Sequence, residues 1–228
     1  MQDWIRRLYD DPQLLLKGHY QRAEDLNLGL GWVYYALTRV IRSQRAVVIG
    51  SWRGFVPIVL AKALSDNLEG GRLLFIDPSY ADDFWKDPEA VRCYFHGSGL
   101  TNIDHRLMTT QQFMETSEYE SLQDVGLVFI DGYHSPEQAA IDYAAFEDRM
   151  SPDGLILFHD SIWYSTANAY PVKGFVHRVV DFISQLKERD DLQIFDLPFS
   201  GGVTMVRKAE IPAQKEGRKA EPWTGSAE

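Results

Sequence analysis

From Arg45 onward the chain alternates short apolar runs of strand length with segments of helical period, and no other feature constrains its fold as much. The apolar runs fall at 46–49, 73–76, 103–107, 125–130, 155–158, 192–195 and 203–206, with helices expected at 55–66, 86–97, 110–117, 136–149 and 172–188. Strands that are apolar throughout, rather than at every second residue, are buried on both faces. Alternation with helices supplies the cover, through right-handed crossovers. The expected architecture is α/β: a doubly wound, seven-stranded, mainly parallel sheet. In such sheets ligands bind beyond the carboxyl ends of the strands, near the point where strand order reverses, so the residue after each strand carries the functional information.

Residues 1–42 read as a helical lead-in, with Leu26, Leu28, Leu30, Trp32, Val33, Tyr35, Leu37, Val40 and Ile41 forming an apolar stripe. Gly29 and Gly31 weaken the helix, so its start is expected after them, and Gly18, His19 and Tyr20 read as loop. The stripe serves equally as a lid over a site or as a contact in a homo-oligomer. Residues 43–208 make the main domain, and 209–228, rich in Pro, Gly and mixed charge, read as a flexible tail.

The chain has 228 residues, room for one sizeable core. Its net charge of −10 opposes binding to phosphate backbones or anionic lipid, so neither nucleic acid nor a membrane is an expected partner. Cys93 is the only cysteine, which excludes an intrachain disulfide and a thiolate zinc cluster. The first residues mix charges of both signs and lack the apolar core of a secretory signal; the expected location is the cytoplasm.

After the first strand comes Gly50-Ser51-Trp52-Arg53-Gly54, where two glycines let the chain turn sharply and bring backbone amides near a ligand. The dinucleotide and phosphate-loop patterns are both absent: Trp52 holds the second glycine position and no Gly-Lys-Ser/Thr follows. The second strand ends at Asp77, whose carboxylate can accept from both hydroxyls of a ribose, or cap the turn before Pro78. After the fourth strand stands Asp131-Gly132-Tyr133-His134, and after the fifth His159-Asp160-Ser161. Carboxylates brought together at one sheet edge repel unless a cation or proton lies between them, and oxygen ligands suit Mg²⁺, Ca²⁺ or Mn²⁺. The competing reading makes Asp160 a cap and the two histidines packed core residues. Ser135-Pro136-Glu137 reads as a helix start and 151–154 as a turn. Trp163, Tyr164 and Tyr170 are placed to wall a pocket or simply to pack.

The stretches Val47 to Gly54, Phe75-Ile76-Asp77, Val128 to His134 and Leu157 to Ser161 together resemble class I S-adenosylmethionine-dependent methyltransferases. The similarity is greatest to the group of macrocin-type sugar O-methyltransferases and cephalosporin-hydroxylase-like proteins, which share Ile-Asp-Gly-x-His, and it covers about residues 43–208. It implies a Rossmann-like sheet with an antiparallel last strand. It also implies Gly50, Ser51 and Gly54 around the methionine part of S-adenosylmethionine, Asp77 on the ribose, and Thr110 and Gln111 near adenine. Asp131 also falls in the cofactor set, Asp131, Asp160 and His159 in a divalent-metal set, and His134 with Asp131 in the catalytic role, His134 as general base. Two positions depart from the family: Val48 stands where an acid is usual two before the first glycine, and His159 where metal-dependent members have a second acid. The implied function is methyl transfer to a hydroxyl of a small acceptor, a sugar or natural-product type. A non-catalytic cofactor-binding relative and a hydroxylase-like member are the alternatives.

Overall fold

The computed structural model describes residues 1–15, 18–164 and 176–209. Seven strands form one sheet: β1 (Arg45–Ile49), β2 (Arg72–Ile76), β3 (Ile103–Arg106), β4 (Val125–Ile130), β5 (Met150–His159), β6 (Leu192–Leu197) and β7 (Val203–Lys208). Their order is β3-β2-β1-β4-β5-β7-β6. Pairings from β3 through β5 are parallel, whereas β7 runs antiparallel to both β5 and β6, between which it is inserted. The seven-stranded sheet with an antiparallel last strand is thus as expected. The order reverses between β1 and β4, so the loops after these two strands open side by side.

The helices are α1 (Gln2–Leu8), α2 (Gly31–Ile41), α3 (Phe55–Asp66), α4 (Pro88–Gly97), α5 (Thr110–Met114), α6 (Ser117–Ser121), α7 (Pro136–Glu147) and α8 (Val179–Leu186), with a 3₁₀ turn at Pro12–Leu15. Alternate residues of each central strand feed two apolar layers, as the two-residue repeat of a strand requires. Val48, Phe75, Phe129 and Leu157 pack with α1, α2, α3 and α4, while Val47, Leu74, Val128 and Phe158 pack with α5, α7 and α8. No helix among the described residues is long and apolar enough to cross a membrane.

Local chemistry explains where the elements depart from expectation. The helix expected at 86–97 begins at Pro88 because the Asp87 side chain accepts from the Glu89 and Ala90 amides, with Pro88 at the first helical position. The helix expected at 110–117 divides in two: Thr109 and Gln112 form a capping box on α5, and Thr116 caps α6 by accepting from the Tyr119 amide. Ser135 caps α7 as expected. Strand β5 starts earlier than expected, at Met150, and residues 151–154 form an irregularity in its register with β4 rather than a turn ahead of the strand.

The lead-in is only partly helical. Leu28 and Leu30 are buried from a non-helical segment, and α2 starts at Gly31, where a Cβ would come within 2.8 Å of the Phe55 ring. The start of the helix expected at 172–188, and the tail from residue 210, lie outside the described residues.

Candidate active site

The loops at the β1/β4 switch point fit together at backbone distance. Gly50 has φ +74°, and a Cβ there would lie 2.5 Å from the Asp131 carbonyl oxygen and 2.6 Å from the Gly132 Cα. Only glycine meets both demands. The Asp131 amide in turn donates to the Ile49 carbonyl at 2.8 Å. Gly54, at φ +79°, begins α3 against the faces of Trp85 and Phe95, and Trp85 Nε1 donates to the Ser51 carbonyl at 3.0 Å, holding the loop from below. Asp77 completes this corner: its carboxylate accepts from the Ser51 amide at 3.1 Å and the Ser79 amide at 2.7 Å. Burial outweighs those two bonds and pushes the Asp77 carboxyl up to about 6.

Gly50, Ser51, Asp77, Ser79, Trp85 and Asp131 line a cavity of about 1000 Å³, whereas Gly54, expected at the cofactor, does not. Pockets for one drug-sized ligand run from about 300 to 1,000 Å³, so this one lies at the upper end of that range. Thr110 and Gln111 reach it from the β3 side, where Gln138 donates to the Asp142 carboxylate at 2.8 Å. Burial carries that buried carboxyl to about 6 as well. Gln13, Leu14, Gly18 and His19 bring the N-terminal segment into the wall, and the aromatic lining comes from Trp52, Phe55, Tyr80, Trp85 and Tyr133. Trp163 and Tyr164 do not line the cavity and are largely exposed, while Tyr170 lies outside the described residues.

At the carboxyl ends of β4 and β5 the expected acidic and imidazole residues do converge. Asp131 Oδ1 accepts from His134 Nε2 at 3.1 Å and from His159 Nδ1 at 3.0 Å. Burial alone would raise the Asp131 carboxyl, but the two imidazoles outweigh it and hold the group well below the ordinary carboxylate range. Burial also opposes charge on His159, yet Asp131 and Asp160 carry its pKa up to about 9. Asp160 has φ +49°, a left-handed backbone that costs energy in a residue with a side chain. Its Oδ1 would be 1.9 Å from a Cβ on Gly201, so that glycine makes room for the carboxylate.

Two further histidines join this cluster, His19 from the expected loop and His177 from within the helix expected at 172–188. His177, ahead of α8, places Nδ1 at 3.5 Å from Asp160 Oδ2. His19 stacks on Phe55, contacts the Tyr34 hydroxyl at 3.2 Å through Nδ1, and lies with its ring 4.5 Å from that of His159. Burial, aided by His159, lowers His19 to about 3 and keeps it neutral. Neither bears a local signal, because no strand end or glycine loop adjoins it. Val48, where the family resemblance expects an acid, is fully buried in an apolar layer and does not line the cavity.

A family model described as a methyltransferase domain matches residues 47–161, from the middle of β1 to just past β5, half of the chain. The chain belongs to the class I S-adenosylmethionine-dependent methyltransferases. S-adenosylmethionine is accordingly the cofactor of its family. Among solved structures, this methyltransferase is similar to the O-methyltransferase TomG from Streptomyces achromogenes, involved in tomaymycin synthesis and solved with S-adenosylmethionine. The TM-score is 0.62 at 17% identity, over 91% of this chain and 87% of that one. An O-methyltransferase from Bacillus cereus in complex with S-adenosylhomocysteine gives 0.63 at 16% identity, over 91% of each chain. A Podospora anserina methyltransferase, also bound to S-adenosylhomocysteine, gives 0.61 at 16%, over 92% of this chain and 86% of that one. At such identities the likeness is one of fold. No curated protein matches the methyltransferase by sequence.

Asp131, His134 and His159, and His134, Asp160 and His177, form two groups whose ligating atoms lie within 4.8 Å of one another. Two carboxylates stand among three imidazoles, and His159 occupies a place where an acid would complete an oxygen shell.

Proposed function

We propose that this methyltransferase moves the methyl group of S-adenosylmethionine to a hydroxyl oxygen of a small molecule. The observation that carries this reading is a single cavity lined both by the Gly50–Asp77 corner and by the adjoining Asp131, His134 and His159 cluster. The corner suits the donor. Ser51 and the Gly50 turn border the methionine part, and Asp77 accepts from the ribose hydroxyls. The cluster suits an acceptor that must lose a proton.

A neutral alcohol is a poor nucleophile, so its proton has to leave as the carbon–oxygen bond forms and the carbon–sulfur bond breaks. The products are a methyl ether, S-adenosylhomocysteine and a proton held by the protein. The ionised Asp131 orients His134 by accepting from Nε2, which leaves Nδ1 as the unprotonated ring atom; Nδ1 is buried and has no hydrogen-bond partner among the described residues. Positioning both reactants in one enclosed cavity supplies much of the remaining acceleration.

The test is calorimetric titration with S-adenosylmethionine and S-adenosylhomocysteine, followed by methyl transfer from labelled donor to a panel of hydroxylated sugars and phenols. The expected result is donor binding that Asp77→Ala abolishes, and turnover of at least one acceptor that His134→Ala lowers roughly 10²–10⁴-fold without changing donor affinity. Donor binding with no turnover on any hydroxylated acceptor would refute O-methylation and favour a cofactor-binding relative without catalysis.

A further inference from the structure

From the two edges of the sheet we infer that this methyltransferase forms a two-fold symmetric dimer, in which strand β6 of one copy pairs antiparallel with β6 of a second copy. The sheet ends in β3 on one side and in β6 on the other. An edge strand presents a row of backbone donors and acceptors, and proteins blunt such edges by shortness, charge, proline or cover. The two edges differ in this respect. Strand β3 has four residues; Arg72 forks onto its Asp104 at 2.7 and 2.6 Å, and its Arg106 forks onto Glu118 at 2.7 and 2.9 Å. Strand β6 has six residues, Leu-Gln-Ile-Phe-Asp-Leu, without lysine, proline or glycine. No strand among the described residues covers its outer side, and Phe195 on it is 59% exposed.

The ladder with β7 fixes which backbone groups point outward. The Ala209 amide donates to the Asp191 carbonyl at 2.7 Å, so by the alternation of an antiparallel pair Gln193, Phe195 and Leu197 bond to β7. The amides and carbonyls of Leu192, Ile194 and Asp196 therefore face away from the sheet. A second copy matches them about a two-fold axis at Ile194: Ile194 meets the partner's Ile194, and Leu192 meets the partner's Asp196, with both main-chain bonds made at each pair. On the opposite face each Phe195 lies across from the partner's Gln193 and diagonal to the partner's Phe195, within reach of an aromatic ring. The net charge of −10 does not oppose this contact, because the charges flanking the strand are matched within the chain. Lys187 and the Thr204 hydroxyl both hold Asp196, Arg189 holds Asp191 and Glu147, and Lys208 holds Asp148. The two Asp196 residues are offset by four positions, about 13 Å along the strands. The contact adjoins the cavity, since the hairpin that leaves β6 brings Ser200 and Gly201 into its wall.

The inference does not rest on the proposed reaction, and its test needs neither donor nor acceptor. Full-length protein is sedimented at about 1 to 100 µM beside two variants: Phe195→Lys, which sets a charge on the edge, and Trp32→Lys, on the exposed outer face of α2. The expected result is a species of twice 26.1 kDa for the wild type and for Trp32→Lys. Phe195→Lys should stay folded by circular dichroism and raise the dimer dissociation constant at least about tenfold. In the wild type, amide hydrogen exchange across 192–197 should slow as concentration rises through the dimer range. A wild type that is monomeric at about 100 µM, or whose 192–197 amides exchange independently of concentration, overturns the inference whatever the variants do. So does a dimer that Phe195→Lys leaves intact, or one that Trp32→Lys dissociates as well, which would place the contact on the N-terminal stripe.

Discussion

The proposed ribose contact at Asp77 makes a pH prediction with a definite sign. Burial lifts this carboxyl from its ordinary 3.8 to about 6, so roughly a tenth of it is ionised at pH 5 and nine-tenths at pH 7. The ionised form is the stronger acceptor for the two hydroxyls, so donor affinity should rise, by up to roughly tenfold, between these values. Asp77→Asn keeps the shape, removes the charge and should flatten this dependence. At neutral pH it should also weaken the donor roughly 10- to 100-fold, the worth of one hydrogen bond to a charged acceptor.

Stability should move the opposite way. The folded pKa lies above the unfolded one, so the stabilisation from the bound proton is full below pH 3.8 and is lost as pH rises through 6. Between pH 5 and pH 8 the wild type should lose about 1.4 kcal/mol relative to Asp77→Asn. The assays are donor titration by calorimetry and urea unfolding, both at pH 5 and 8, with the wild-type-to-variant difference removing every other titrating group. A variant that tracks the wild type in both would refute the assignment of Asp77.

Gly50→Ala places a Cβ within 2.6 Å of the Asp131–Gly132 backbone, so it should lower the melting temperature and raise the donor dissociation constant at least about tenfold. A dissociation constant within twofold of wild type would mean that the β1 and β4 loops do not form the donor cradle. Phe129→Ala, at a fully buried position on β4 against Tyr34 and near His19 and His159, should cost about 3–5 kcal/mol in urea unfolding. A loss under about 1 kcal/mol would show that this part of the apolar layer collapses around the gap.

Local pattern carried different distances in different parts of the chain. Helix α3 is legible to the residue because Gly54 marks its start and a continuous apolar run follows. The residues after β1, β2, β4 and β5 are equally legible, since a buried strand ends where polarity returns. The division of α5 from α6 turned on one threonine hydroxyl, at Thr116, against an unbroken helical period. The insertion of β7 between β5 and β6 leaves no local trace, because either neighbour offers the same backbone hydrogen bonds. His19 looked like an ordinary loop residue and His177 like part of a helix, and both belong to the site.

By itself, then, the sequence determined the layers of this methyltransferase and the identity of most strand-end residues. Both follow from hydrophobic periodicity and from the backbone freedom of glycine, which are properties of neighbours along the chain. Only the tertiary structure decided that Asp131 faces two imidazoles, that Asp77 is buried enough to titrate near 6, and that His177 stands beside Asp160. Charge interaction and desolvation depend on distance and on exclusion of water, and these exist only once residues remote in the chain have packed together.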